Sequence, residues 1–204
     1  MTFCLNVIRK KRGKTVRDLL ESIGERNGRI LNIGSASTTY GRNCINLDIV
    51  VQEEVNIIGD AHELPFASET FDVCILSAVL QYCRDPFRVA REILRVLVPG
   101  GKAIIDAPFI QPWCGPSDLY RFSKEGLEKI FKDLDVISCE PSIGAGPAMA
   151  FHAQSAVMML IKNRYWRFLA TNFVSLMLIP VSLLKWDRDT EVAGACILLA
   201  EKHR

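Results

Sequence analysis

At 204 residues, 49% apolar and 24% charged, the chain is long enough for one domain with its own core and too apolar for a disordered segment. A net charge of +2 gives no general case for a polyanion partner. Seven cysteines, scattered, odd in number and without a Cys-x-x-Cys pair, argue for a reducing cytosol and against a disulfide framework or a zinc site.

Residues 1–17 hold Arg9, Lys10, Lys11, Arg12, Lys14 and Arg17 and no acid. This basic arm reads first as solvated and, more sharply, as a contact for an anionic membrane or polyanion. No apolar h-region or cleavage site follows it, so it is not read as a secretory signal. Thr15 and Asp18 form a capping box for a helix with Val16, Leu19, Leu20 and Ile23 on one face, ended by Asn27-Gly28.

Apolar runs at 29–33 and 44–48 predict two buried parallel strands, the first ending at Gly34, the second at Asp48. Only residues 34–43 join them, so the crossover helix is expected to shrink to a turn or two. Further strands are predicted at 55–58, 71–77, 102–107, 134–139 and 193–200. Asp85-Pro86 opens a helix that Pro99-Gly100-Gly101 stops, and another runs from Ser123 to Lys132. Strands alternating with helices predict a doubly wound, seven-stranded, mostly parallel α/β sheet, its last strand antiparallel at or near an edge. The expected organisation is a basic arm and helix (1–28), a core (29–140), an apolar helical insert (141–190) and the last core strand (191–204).

Asn32-Ile33-Gly34-Ser35, Asp48, Asp60-Ala61, Leu64-Pro65-Phe66, Phe71-Asp72-Val73, Leu80-Gln81-Tyr82, Asp85-Pro86 and Arg95 to Gly101 occur in an order and spacing that resemble class I S-adenosylmethionine-dependent methyltransferases, particularly the small type 11 branch. The resemblance covers roughly residues 28–140 and the last strand. It implies a Rossmann-like methyltransferase fold with S-adenosylmethionine as cofactor. Asn32, Ile33, Gly34 and Ser35 would lie along its methionine end. Asp48 would accept from both ribose hydroxyls, with Ile49 beside it; Asp60 would accept from the adenine amino group beside the Ala61 amide. Ser77 to Leu80 would flank the sulfonium. Three positions depart from the pattern: Asn32 stands where the family usually has an acid, and Ala36 and Ser37 stand where it has glycines.

Methyl transfer from a sulfonium is an in-line displacement, and a base is needed only when the nucleophile loses a proton. No catalytic residue is assigned from the sequence. Pro108 to Phe122 resembles a proline-aromatic loop of related methyltransferases, which would overhang the cofactor. Gln111, Trp113, Asp118, Tyr120 and Arg121 are its substrate-side candidates. For Asp118 and Arg121 an equal reading is a loop lock, Asp118 pairing with Arg121 and capping the next helix. His62 reads as a surface residue.

No Asn/Asp-Pro-Pro-Tyr or Pro-Cys follows the fourth strand, which argues against nucleic-acid bases as substrate and leaves a small-molecule, glycan or lipid-linked acceptor. The insert reads as two helices, 147–163 and 165–184, the second interrupted at Pro180. Residues 168–184 are uncharged and flanked by Lys162, Arg164, Arg167, Lys185, Trp186 and Arg188. A lid over an apolar substrate, a homodimer face and a peripheral contact of 165–186 with the inner face of the membrane are the uses open to it. Two rival readings stand beside a cytoplasmic enzyme. One is a degenerate methyltransferase fold serving as a membrane- or partner-binding module; the other, disfavoured by the missing Gly-x-Gly-x-x-Gly, is a nicotinamide-dependent reductase.

Overall fold

Seven strands share one sheet in the order β3-β2-β1-β4-β5-β7-β6. The structure is a computed structural model describing residues 13–24, 28–183 and 190–204. The strands are β1 (Ile30–Ile33), β2 (Cys44–Asp48), β3 (Ile57–Ile58), β4 (Phe71–Ser77), β5 (Leu97–Pro108), β6 (Asp135–Ile143) and β7 (Ala195–Glu201). The helices are α1 (Val16–Ile23), α2 (Pro86–Val96), α3 (Lys124–Ile130), α4 (Ala145–Leu160) and α5 (Arg164–Leu183). β1 to β5 pair in parallel, and β7 runs antiparallel between β5 and the edge strand β6. The expected doubly wound α/β sheet is therefore present.

Successive strand residues point to opposite faces, so each apolar run feeds two cores. Leu31, Ile33, Leu76, Ile105 and Leu198 pack with Val89 and Ile93 of α2 and Leu127 of α3. Ile30, Val73, Ile75, Ile104 and Ile197 pack with Val16 and Leu19 of α1. A right-handed β1–β2 crossover would lay its helix on this second face. No helix forms there: residues 34–43 make only turns, short of even the turn or two expected. Tyr40 and Cys44 pack against the α1-side core at this place. Two residues beyond Ile30, Ile75 and Ile104, on the same face, the apolar pattern gives way to Asn32, Ser77 and Asp106.

Other boundaries shift for physical reasons. The capping box of Thr15 and Asp18 forms, but α1 ends at Gly24, whose φ of 69° gives the left-handed C-cap. Asn27 lies outside the described residues, as do Cys4, Arg9 to Arg12, Leu184, Lys185, Trp186 and Arg188. Pro99-Gly100-Gly101 ends α2 yet sits inside β5, where the register slips between Phe71 and Val73. α5 continues through Pro180, although a proline costs one backbone bond.

Candidate functional site

The carboxyl ends of β1, β2 and β3 carry Gly34, Asp48 and Asp60 along one edge. Gly34 has φ 68°, and a Cβ on it would fall 2.3 Å from Val79 Cγ2. The loop after β1 therefore rests directly on the turn after β4. The Gly34 and Ser35 amides both donate to Leu47 O (2.7 and 3.1 Å), and Thr38 N donates to Ser35 O (2.8 Å). Ala36 follows with φ 47°, a left-handed conformation that costs an L-residue about 1–2 kcal/mol.

Asp48 is held by both neighbouring loops. Its Oδ2 accepts from Ala36 N (2.8 Å) and its Oδ1 from Val50 N (3.0 Å). A carboxylate oxygen has two lone pairs, so each retains accepting capacity. Ile49 beside it is 70% exposed. Asp60 Oδ1 accepts from His62 N (2.9 Å) and meets His62 Nδ1 at 2.6 Å. The His62 amide, foremost, holds this carboxyl below its ordinary range. Asp85 N donates to His62 Nε2 (3.2 Å), so the half-buried imidazole bridges Asp60 to the cap of α2.

Asn32 is buried; its amide donates to Thr38 O (2.8 Å) and Asn46 Oδ1 (3.2 Å). Asn46 in turn donates to Glu54 O and takes part in a bond to Asn56. Where the resembled family usually carries an acid, a chain of amides pins the helix-less crossover. Ile33 and Leu80 are fully buried, so only their backbones reach the edge. Ser35 Oγ and Gln81 Oε1 are buried without a hydrogen-bond partner.

One acid here carried no sequence signal. Asp106 Oδ1 accepts from Ser142 Oγ (2.5 Å), and Ser77 Oγ lies 3.4 Å from its Oδ2. Burial pushes the Asp106 carboxyl above the ordinary range, against the effect of both hydroxyls. Burial, then Asp106, pushes the Tyr40 phenol up as well, while Arg17, 5.9 Å from the ring centre, opposes this. Tyr40, Ser77, Asp106 and Ser142 thus gather beside the turn after β4. A carboxylate with a raised proton affinity can take a proton from a hydroxyl or amine.

The overhanging loop is locked. Arg121 donates to Asp118 through Nη1 (2.5 Å) and Nη2 (2.6 Å), to Gln111 O, to Pro112 O and to Tyr120 O. All five guanidinium hydrogens are thereby used. Asp118 also accepts from Cys114 N, and Arg121, foremost, holds its carboxyl below the ordinary range. Ser123, not Asp118, caps α3. Leu119 N donates to Gln81 O (2.8 Å) and Tyr120 OH to Arg84 O (3.1 Å), seating the loop on the turn after β4. Trp113 is 68% exposed there and Gln111 half-buried.

A methyltransferase-domain family model matches residues 32–105. The ubiquinone/menaquinone biosynthesis C-methyltransferase of Klebsiella pneumoniae is 31% identical over 128 residues, 55% of this chain and 51% of that protein. The chain thus spans about half the length of this curated relative. Among solved structures, the Haemonchus contortus phosphoethanolamine N-methyltransferase 2 bound to S-adenosylmethionine aligns with TM-score 0.60 and 15% identity, over 99% of this chain and 56% of that one. The [4+2]-cyclase SpnF aligns with TM-score 0.58 and 17% identity, over 92% of this chain and 81% of that one. These two likenesses concern the fold alone. Over residues 32–105 the chain is similar to the methyltransferase-domain family, and its strand order and edge residues agree with that likeness.

Proposed function

We propose that the chain transfers a methyl group from S-adenosylmethionine to a small-molecule, glycan or lipid-linked acceptor. One observation carries this reading: Gly34, Asp48 and Asp60 align past three adjacent parallel strands, with Ser35 Oγ and Gln81 Oε1 unpartnered beside them. An unpartnered buried polar atom costs about 1–3 kcal/mol, which a polar ligand at this edge would offset. The donor set fits the group. Asp48 would take the ribose hydroxyls, Asp60 and the Ala61 amide the adenine edge, and exposed Ile49 the adenine face. Once bound, S-adenosylmethionine supplies an electrophilic methyl on a sulfonium.

An O–H or N–H acceptor loses one proton as it gains the methyl. Asp106 takes that proton on its carboxylate, held in position by Ser77 and Ser142. The locked loop 109–122 screens this edge from water, and Gln111, Trp113 and Tyr120 are its groups nearest an acceptor. The Klebsiella relative is a ubiquinone/menaquinone biosynthesis C-methyltransferase, so a quinone precursor is the first acceptor to assay.

Isothermal titration with S-adenosylmethionine and S-adenosylhomocysteine tests the reading. Micromolar binding of both supports it; no heat at millimolar ligand ends it. The latter result would favour the second reading, a binding module without catalysis. Two observations already lean that way: the Asn32 amide is spent within the protein, and no crossover helix brings its N-terminal dipole to the cofactor.

A further inference from the structure

The α4–α5 hairpin has a root and a tip of opposite character. At the root, Ala145, Ala148 and Ala150 are buried, and a Cβ on Gly194 would meet Ile143 and Ala148, so α4 lies hard against the sheet. Further out the two helices hold each other through a buried bond from Gln154 Nε2 to Ser175 Oγ (2.6 Å). Beyond that clamp nothing covers them among the described residues. Met159, Leu160, Tyr165, Trp166, Phe168, Leu169 and Phe173 are each more than half exposed. Asn163 fixes the turn by accepting from the amides of Tyr165 and Trp166 (2.9 and 3.3 Å). The tip is a built end, not a frayed one.

Two features say what covers it. The exposed apolar side chains of α5 share one broad face, turned away from the Ser175 contact with α4. Residues 162–169 are all exposed, and Tyr165, Trp166, Phe168, Leu169 and Phe173 fan over about half the circumference of α5, with Arg164 and Arg167 beside them. A helix that lies in a bilayer interface buries one such broad apolar face, with Lys and Arg along its border. Charge is equally one-sided. Residues 141–186 contain no Asp or Glu, and Lys162, Arg164 and Arg167 stand exposed at the turn. Cations with an adjoining Tyr-Trp pair match the headgroup layer of an anionic bilayer, the rings at its depth and the alkyl stems reaching up. No helix among the described residues is long and apolar enough to cross a membrane, so the fit is to a surface.

We infer that the hairpin tip, residues 159–173, inserts into the headgroup region of an anionic lipid bilayer and holds the catalytic edge near it. The docking stands independently of cofactor binding. Flotation of the full chain with phosphatidylcholine vesicles, with and without phosphatidylglycerol, tests it. The chain should float with the anionic vesicles, less so at 0.5 M salt, and hardly at all with phosphatidylcholine alone. Each of Lys162→Gln, Arg164→Gln and Arg167→Gln should lower partitioning about fivefold, and the triple variant roughly a hundredfold. In a Trp113→Phe, Trp186→Phe background, lipid-borne nitroxide should quench Trp166. Lys162, Arg164 and Arg167 are exposed positions, and an unchanged circular dichroism spectrum confirms the fold of each variant. A chain that stays unbound with anionic vesicles overturns the inference. So does flotation indifferent to the three cations, or a stable dimer in light scattering that Phe168→Glu splits while vesicles are ignored. Titration of S-adenosylmethionine on the same samples reads the enzyme proposal separately.

Discussion

At the carboxyl edge of the sheet nearly every polar group is committed. Asp48 is held by two loops, Asp60 by His62, Asn32 by Thr38, and Arg121 spends all five of its donors. Forty residues further on, at the α4–α5 tip, nearly every apolar group is uncommitted. The difference separates two kinds of recognition. A site that must distinguish one small polar molecule is fixed in advance, because each loose side chain would lower affinity when ordered. A surface that meets a fluid layer needs area and charge, and no fixed partner geometry.

Substitutions at either end should leave the other untouched, and this is where the contrast can be broken. The largest effect is expected for Gly34→Ala. Its Cβ meets Val79 at 2.3 Å in a left-handed conformation, at a cost of about 3 kcal/mol, so the thermal midpoint should fall roughly 6–12 °C. An unmoved midpoint would mean that the β1 and β4 turns are not packed as described. Asp48→Ala should weaken S-adenosylmethionine roughly tenfold to a hundredfold in titration, the worth of hydrogen bonds to a charged acceptor, while vesicle flotation stays the same. Equal loss of both would join the two regions into one device.

Asp106→Asn sharpens the picture from the opposite direction. The folded carboxyl has its proton affinity raised, foremost by burial. Its contribution is complete at pH values below the unfolded carboxylate range and is lost as pH rises through the folded value. At pH 8 the asparagine variant should therefore be the more stable by about 1 kcal/mol, or 2–4 °C, and the less able to accept a proton. A lower midpoint at pH 8 would remove the desolvated-acid description. The smallest change belongs to Asp118→Asn. Arg121 holds this carboxyl low, so the lock persists above the ordinary carboxylate range and opens as pH falls below it. Limited proteolysis within 109–122 should quicken in the variant at pH 7, and in the parent only in acid, with little shift of the global midpoint.

The sequence made β2 and β4 legible to the residue, because an apolar run bounded by polar turns has one way to lie in a sheet covered on both faces. Gly34, Asp48 and Asp60 could be named because strand ends announce themselves locally. Asp106 could not. It sits in an ordinary strand run, and its meaning arises from facing Ser77 across β4–β5 and from the irregular β6 register that brings Ser142 to it. Arg121 read equally as lock or as contact, since only the fold brings the carbonyls of Gln111 and Pro112 to it. The empty place of the crossover helix was visible as a short count of residues, but not that Tyr40 would fill it.

Ala36 bears on how that short crossover keeps its shape. A glycine in the left-handed region would relax the backbone and leave it many neighbouring conformations. Alanine is strained there, yet its allowed well is narrow, so the loop carries little residual freedom once the chain has folded. Its order is settled during folding. Closing on a ligand would then consume little backbone entropy, and binding at this edge would carry a small entropic penalty for a loop with no helix behind it.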